Sequence, residues 1–288
     1  MSQYMNSQSL GSTESTAMET ITGICNLTLG LDSSDLCNKT AELAEEINEV
    51  EEMYRTLSIV VLILFGIIVI VGLFGNALVV IVVACNPQMR STTNLLIINL
   101  AIADLLFIVF CVPFTAWAYA FPFWPFGNVW CKIVQYLIVV CAYASIYTLV
   151  LMSLDRYLAV AHPIQSMSIR TEKNAYLAIF LMWIAIVLAC IPALMSHRLI
   201  PNDGTDEQFC MFDEEYNHSL YQICFFLSSY VIPISIILIL YILMLKRLWF
   251  GVVPGGHMSA ESVRSKKRVT RMVVVVVIIF ACCWCPIN

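Results

Sequence analysis

Charged side chains are scarce in this chain. Asp, Glu, Lys and Arg make up 12% of its 288 residues, against about 25% in an ordinary soluble domain. Long stretches hold no charge at all, which speaks against a soluble globular core. Nucleic acid is not an expected partner of a chain with net charge −5. Catalytic signatures are missing as well: no Walker loop, no Gly-x-Ser-x-Gly and no His-Glu-x-x-His occurs. His162, His197, His218 and His257 are scattered, and no nucleophile stands near a base, so no enzyme is expected. Cys282, Cys283 and Cys285 crowd one helix turn without an outside partner. That is a poor tetrahedral set, and no metal centre is expected there. Residues 1–20 lack the apolar stretch of a cleavable signal peptide. The two halves show no repeat, which argues against an inverted-repeat transporter.

What the chain has instead is long apolar runs. Six of them, about 57–84, 94–117, 131–154, 175–195, 221–245 and 270–288, match the roughly 20 residues a helix needs to cross a bilayer. Strands of a β-barrel would alternate over about 10 residues. The expected fold is therefore an all-α membrane bundle over residues 57–288. Residues 1–56 read as a polar tail, largely disordered, with a short helix near "AELAEEINEVEEMYR". The first span must then act as its own insertion signal.

Charge sets the orientation. With residues 1–56 outside, the inner segments hold Arg90, Arg156, Arg170, Lys173, Lys246, Arg247, Arg264, Lys266, Lys267, Arg268 and Arg271, eleven of the fifteen Lys and Arg. Short cytoplasmic loops favour these residues. Asn26, Asn38 and Asn217 begin glycosylation sequons, all outside in this arrangement. The outer segments also hold most of the acid, ten Asp/Glu in residues 1–56 and six in 196–220. They read either as a solvated surface or as a funnel for cationic ligands.

The third run ends in "SLDRYLAVAHP", where Asp155 and Arg156 stand side by side. From Cys131 to Arg156 is about 37 Å of helix at roughly 1.5 Å per residue, enough to cross the hydrocarbon. The pair therefore lies at the cytoplasmic mouth. The two charges can neutralise one another, Arg156 can snorkel, or Arg156 can reach another helix or an incoming protein. Asp104 is an acid inside an apolar run, a functional candidate on cost alone; Asn76 and Ser145 are its candidate partners. Asn99 reads as a polar packing group between helices. Pro233 and Pro286 should kink their spans.

Asp155-Arg156-Tyr157 resembles the motif that ends the third helix of rhodopsin-like G-protein-coupled receptors. Gly75-Asn76, "NLAIAD" at 99–104, "WPFG" at 124–127 before Cys131, Trp183, Pro233 and "CWCP" at 283–286 stand in the order that family has. The likeness covers about residues 55–288. Within the family, "WPFGNVWCKIVQYLIVV", "SMSIRTEKNA" and "VVPGGHMSAESVRSKKRVTRMVVVVVIIFACCWCPI" resemble insect allatostatin-A receptors, relatives of vertebrate galanin receptors.

The resemblance implies a seven-helix bundle of which six spans are present, as a fragment or a truncated product. It implies a plasma-membrane receptor with an extracellular N-terminus, an amidated peptide ending in Phe-Gly-Leu as ligand, and a heterotrimeric G protein as partner. By helical spacing Trp117, Gln135, Ile138, Phe225 and Trp284 would face the peptide. Ile138 stands where amine receptors carry an Asp, which disfavours a cationic amine. Asp155, Arg156, Tyr157 and Tyr241 would couple to the G protein, with Ile146, Pro233, Phe280 and Pro286 as the switch. Lys266 replaces the acid that holds the arginine in many relatives, and Thr270 lies one turn further on. The outer Cys131 and Cys210 would bridge in an oxidising compartment, with Cys25 and Cys37 as a second candidate pair. Asp104 and Ser145 would hold a sodium ion; no other cofactor is expected. Rival readings are a galanin- or somatostatin-like peptide receptor, an opsin whose retinal lysine lies in the seventh helix, and a transporter or channel.

Overall fold

The computed structural model describes residues 34–89, 91–121, 123–201 and 207–250, together with Val275 and Ile278. Among these residues five helices are long and apolar enough to cross a membrane: Asn48–Cys85, Thr92–Ala120, Gly127–Ala161, Glu172–Met195 and His218–Arg247. We call them the first to fifth spans. Each coincides with one of the first five expected runs. Of the sixth, 270–288, only Val275 and Ile278 are described, both helical.

The expected borders are too narrow in instructive places. The first helix runs unbroken from Ser34 to Cys85, where the sequence reading has a largely disordered tail with a short helix. Ala, Glu and Leu are strong helix formers, and a helix already nucleated in the membrane extends at little further cost. The third span continues to Ala161 rather than ending at 154, so Asp155 and Arg156 stand on its last two turns. Pro163, which lacks an N–H, follows that end directly.

Caps start three of the spans. Ser91 Oγ accepts from Asn94 N, Thr171 Oγ1 from Asn174 N and Asn217 Oδ1 from Leu220 N, each satisfying an otherwise orphaned donor. Gly127 opens the third span at φ 78°, a left-handed conformation that favours glycine. The second span breaks at Cys111, just before Pro113, and the fourth at Cys190, just before Pro192.

The fifth span departs from α-helical pairing just before Pro233. Leu227–Val231 forms a π-turn, and the Ile232 N–H reaches back to the Leu227 carbonyl. The next donor would serve the Ser228 carbonyl, but residue 233 is proline and has none. Tyr147 Oη supplies the missing bond, donating to Ser228 O at 3.0 Å. Just before Pro233, where a kink is expected, the helix makes a π-turn stitched to the third span.

Packing centres on the third span, which touches the second, fourth and fifth. Ala103, Val140, Ala144 and Ile186 form one core, and Ile237, Tyr241 and Met244 another nearer the Asp155 end of the third span. The first span is packed chiefly on the second. Gly72 brings them close: a Cβ there would meet Ile108 Cδ1 at 2.5 Å, the small-residue contact that packs membrane helices.

The outer loop before the fifth span is a two-stranded hairpin. Strand β1 (His197–Pro201) pairs antiparallel with β2 (Gln208–Phe212), Leu199 opposite Cys210. The sequence reading treats this segment as a plain loop.

Candidate functional site

At the inner mouth the Asp155 carboxylate is buried and fully occupied. Thr92 Oγ1 donates to its Oδ1 at 2.9 Å and Thr93 Oγ1 to its Oδ2 at 2.6 Å. Arg170 completes the shell, Nε to Oδ1 at 2.8 Å and Nη2 to Oδ2 at 3.3 Å. Of the readings open for the pair, mutual neutralisation of Asp155 and Arg156 is the one these contacts overturn. Adjacent residues on a helix point about 100° apart, and the acid faces the second span and the inner loop. Arg156 is half-buried and makes no ion pair among the described residues. Tyr157 packs on the Ile237–Tyr241–Met244 cluster of the fifth span. Tyr241 is itself buried, its Oη 3.3 Å from Ser153 Oγ.

One helix turn and more above lies a buried polar hub. Asn99 Nδ2 donates to Thr148 Oγ1 at 2.6 Å, and Asn99 Oδ1 accepts from Trp183 Nε1 at 2.9 Å. One amide thus ties the second, third and fourth spans together. Thr148 passes its own proton to the Ala144 carbonyl at 2.6 Å, so every partner is satisfied.

Asp104 sits between the second and third spans, where Ser145 Oγ donates to its Oδ1 at 2.9 Å. Of its two expected partners Ser145 is the one engaged. Asn76 instead bonds its own helix, Nδ2 to Gly72 O at 3.0 Å. A carboxylate beside a hydroxyl oxygen is a hard-oxygen set that suits an alkali cation.

The switch positions are partly visible. Ile146 is fully buried in the third span and Pro233 in the fifth. Phe280, Pro286, Trp284, Lys266 and Thr270 lie outside the described residues, as do Asn26 and Cys25. Asn38 falls within the first helix.

At the outer end Cys131 and Cys210 are bridged, with Cα atoms 5.6 Å apart. The bridge pins the hairpin onto the third span. Trp124 covers it: its N–H donates to Gln208 O at 2.7 Å and its Nε1 to Gly127 O at 3.1 Å. The Trp-Pro-Phe-Gly stretch is thus a lid held by backbone bonds. Ile138 packs beneath, in the cluster of Trp124, Cys131 and Val134. Trp117 packs tilted against Phe121, ring centroids 4.2 Å apart, and donates through Nε1 to Phe123 O at 3.0 Å. Gln135 is half-buried on the third span.

The members of the expected ligand set that are described lie in two surroundings. Trp117 and Ile138 contribute to the outer aromatic floor, whereas Phe225 meets Tyr143 edge-on at 5.8 Å and lines a cavity between the third, fourth and fifth spans. Neither Trp117, Gln135 nor Ile138 lines it. Helical spacing tells which residues share a face, but not which neighbour that face meets.

On the hairpin, His197 is largely buried, with Nδ1 3.1 Å from Ser196 Oγ and 3.4 Å from Ala193 O. Burial holds its pKa below the ordinary histidine range, the Ala193 carbonyl works against that, and His218 adds to it. Phe212 stands edge-on between the two rings, 5.4 Å from His197 and 4.9 Å from His218. Arg198 Nε pairs with Asp213 at 3.2 Å.

Sequence reasoning missed Arg170, Thr92 and Thr93 as partners of Asp155, although Arg170 counts among the inner cations. It also missed Thr148 and Ser228, hydroxyls within apolar spans that carry no pattern of their own.

Comparison with known proteins agrees with this geometry. Residues 75–288 match the seven-transmembrane receptors of the rhodopsin family. The chain is 58% identical over 279 residues to a protein of Bombyx mori named allatostatin-A receptor, covering 96% of this chain and 76% of that protein. It is 37% identical to a galanin-like G-protein coupled receptor of Caenorhabditis elegans, covering 85% and 64%. It is 38% identical to galanin receptor type 2 of Homo sapiens, covering 80% and 59%. The chain spans less than two thirds of the length of those last two relatives. With the family match extending from the first span onward, this chain belongs to the rhodopsin family of seven-transmembrane receptors.

Proposed function

We propose that this chain is a plasma-membrane receptor, N-terminus outside, for an amidated neuropeptide of allatostatin-A type, and that it signals to a heterotrimeric G protein inside. The observation that carries this is the 58% identity over 96% of the chain to a protein so named. The geometry supports it from both ends. Outside, a disulfide-tied hairpin and an aromatic floor offer an apolar surface whose buried acid, Asp213, is already paired with Arg198, which suits a peptide better than an amine. Inside, Arg156 stands at the mouth of the bundle without an ion pair among the described residues.

In this reading the peptide shifts the balance between two helix arrangements. Asp155 stays clamped by Arg170, Thr92 and Thr93, so the second inner loop keeps its place while Arg156 contacts the G protein. No catalytic step is assigned. Asn26, Asn38 and Asn217 are the proposed glycan positions, and Asn217 is exposed at the start of the fifth span.

Asp104 and Ser145 would hold a sodium ion, neutralising a charge that is expensive in the membrane. Asp104→Asn should then weaken the effect of sodium on peptide affinity, and an unchanged salt effect would leave only the hydrogen bond. The ligand class is tested by competition binding on cells expressing the receptor. An amidated peptide ending in Phe-Gly-Leu should displace label at lower concentration than its free acid. Stronger displacement by a galanin-type peptide would transfer the ligand class to that branch.

A further inference from the structure

The cavity between the third, fourth and fifth spans has a volume of about 730 Å³, within the range of roughly 300–1,000 Å³ typical of small-molecule sites. No charged residue lines it. Leu181, Ala185, Ala189 and Cys224 stand exposed at its rim, on helices that lie in the bilayer. Its reach along the third span, from Val139 to Leu151, is about 18 Å at roughly 1.5 Å per residue. The cavity therefore opens sideways into lipid.

Its inner wall is aromatic, with a polar cluster around Ser228 and the Tyr221 phenol nearer its outer end. Tyr143 and Tyr147 stack with ring centroids 6.0 Å apart, and Phe225 stands edge-on to Tyr143. Tyr143 Oη and Ser228 Oγ are 2.6 Å apart, Ser228 Oγ also bonds the Cys224 carbonyl, and Tyr147 donates to Ser228 O. The protons of this cluster are spent within it, so a guest is offered oxygen lone pairs and aromatic faces. An ion would lose its hydration without a counter-charge.

We propose that this cavity is a binding site for a neutral, compact, ring-containing, lipid-soluble molecule with a single hydrogen-bond donor, which enters from the bilayer. Flat ring systems match aromatic walls better than a flexible acyl chain does. The guest would rest on the π-turn of the fifth span, beside Ser228. The site does not depend on what the receptor binds outside.

The test uses the full chain in lipid nanodiscs and an uncharged trifluoromethyl-phenyl-diazirine as photoprobe, with labelled residues identified by mass spectrometry. Exposed Ile70 and Val71 on the first span report labelling from bulk lipid. The expected result is labelling concentrated on Tyr143, Tyr147 and Met182 above that level. Filling the cavity with Ala185→Trp, or separately Ala189→Phe, should abolish it while labelling at Ile70 and Val71 persists. Thermal unfolding of each variant identifies any that fails to fold, and either variant alone suffices. Cavity labelling no denser than on the first span, or unchanged in a folded filled variant, would mean an ordinary acyl chain occupies the groove and would overturn the proposal.

Discussion

Arg170 and Asp155, fifteen residues apart, meet through two bonds of 2.8 and 3.3 Å. This contact fixes the second inner loop to the end of the third span and leaves Arg156 outside the pair. Arg170→Ala should cost about 1–2 kcal/mol of stability, since the guanidinium is partly exposed and the two threonines remain. Arg170→Lys should fall between, because an ammonium cannot reproduce the fork. Thermal unfolding of the purified variants measures both. Equal stability of all three proteins would remove the clamp from the account.

Asn99 should matter more than its single amide suggests. Asn99→Leu strands the Trp183 N–H and one acceptor on Thr148, at a cost of about 1–3 kcal/mol. Adding Trp183→Phe removes the stranded donor, so the double variant should lose less than the sum of the singles. A strictly additive cycle in chemical or thermal unfolding would show that the hub is not one unit.

Much of this was legible in the sequence because hydrophobicity along the chain reports the bilayer directly. The five spans, Asp104 with Ser145, and the pairing of Cys131 with Cys210 were all expected, the pairing through a family resemblance. Partners brought together by tertiary packing were not. For Asp155 the sequence offered its neighbour Arg156 as one partner among the open readings, whereas its partners come from the second span and from a loop. Asn76 was given to Asp104 but turns back on its own carbonyl at Gly72. The hairpin was hidden because its strands are short, yet "PNDG" between "HRLI" and "QFCMF" is a turn signal between two β-prone stretches.

The tie of Tyr147 to the π-turn gives a third expectation. Tyr147→Phe leaves Ser228 O without its donor, since Pro233 has none to give. A loss of about 1–3 kcal/mol should follow. Replacing Pro233 by Ala in that background restores an N–H and should recover part of it. No recovery in thermal unfolding would mean that the carbonyl finds another partner.

His197 makes the outer hairpin pH-sensitive. Its folded pKa lies below its unfolded value of 6.5, first through burial and then through repulsion from His218, with the Ala193 carbonyl opposing. Above pH 6.5 both states are neutral and the hairpin keeps its full stability. As pH falls through that value the unfolded segment takes up a proton that the folded one resists, so stability is lost. His197→Gln should flatten the dependence. The check is hydrogen exchange at β1 and β2 as pH falls from about 7 to about 5.5, and parallel profiles for both proteins would refute it.

The bridge should be indispensable to the outer surface. Cys131→Ser and Cys210→Ser should each cost about 2–5 kcal/mol, and the double variant no more than either. Surface labelling with peptide binding measures this. A fully active single variant would show that the hairpin holds its place through Trp124 alone.

The central claim is that peptide bound outside opens the inner mouth to a G protein through Arg156. It is tested most directly by nucleotide exchange on a heterotrimeric G protein, measured with the receptor in membranes during titration with an amidated peptide ending in Phe-Gly-Leu. The account predicts saturable, peptide-dependent exchange that Arg156→Ala abolishes while peptide binding persists. Undiminished exchange in Arg156→Ala, or peptide binding with no exchange in the parent protein, would contradict it.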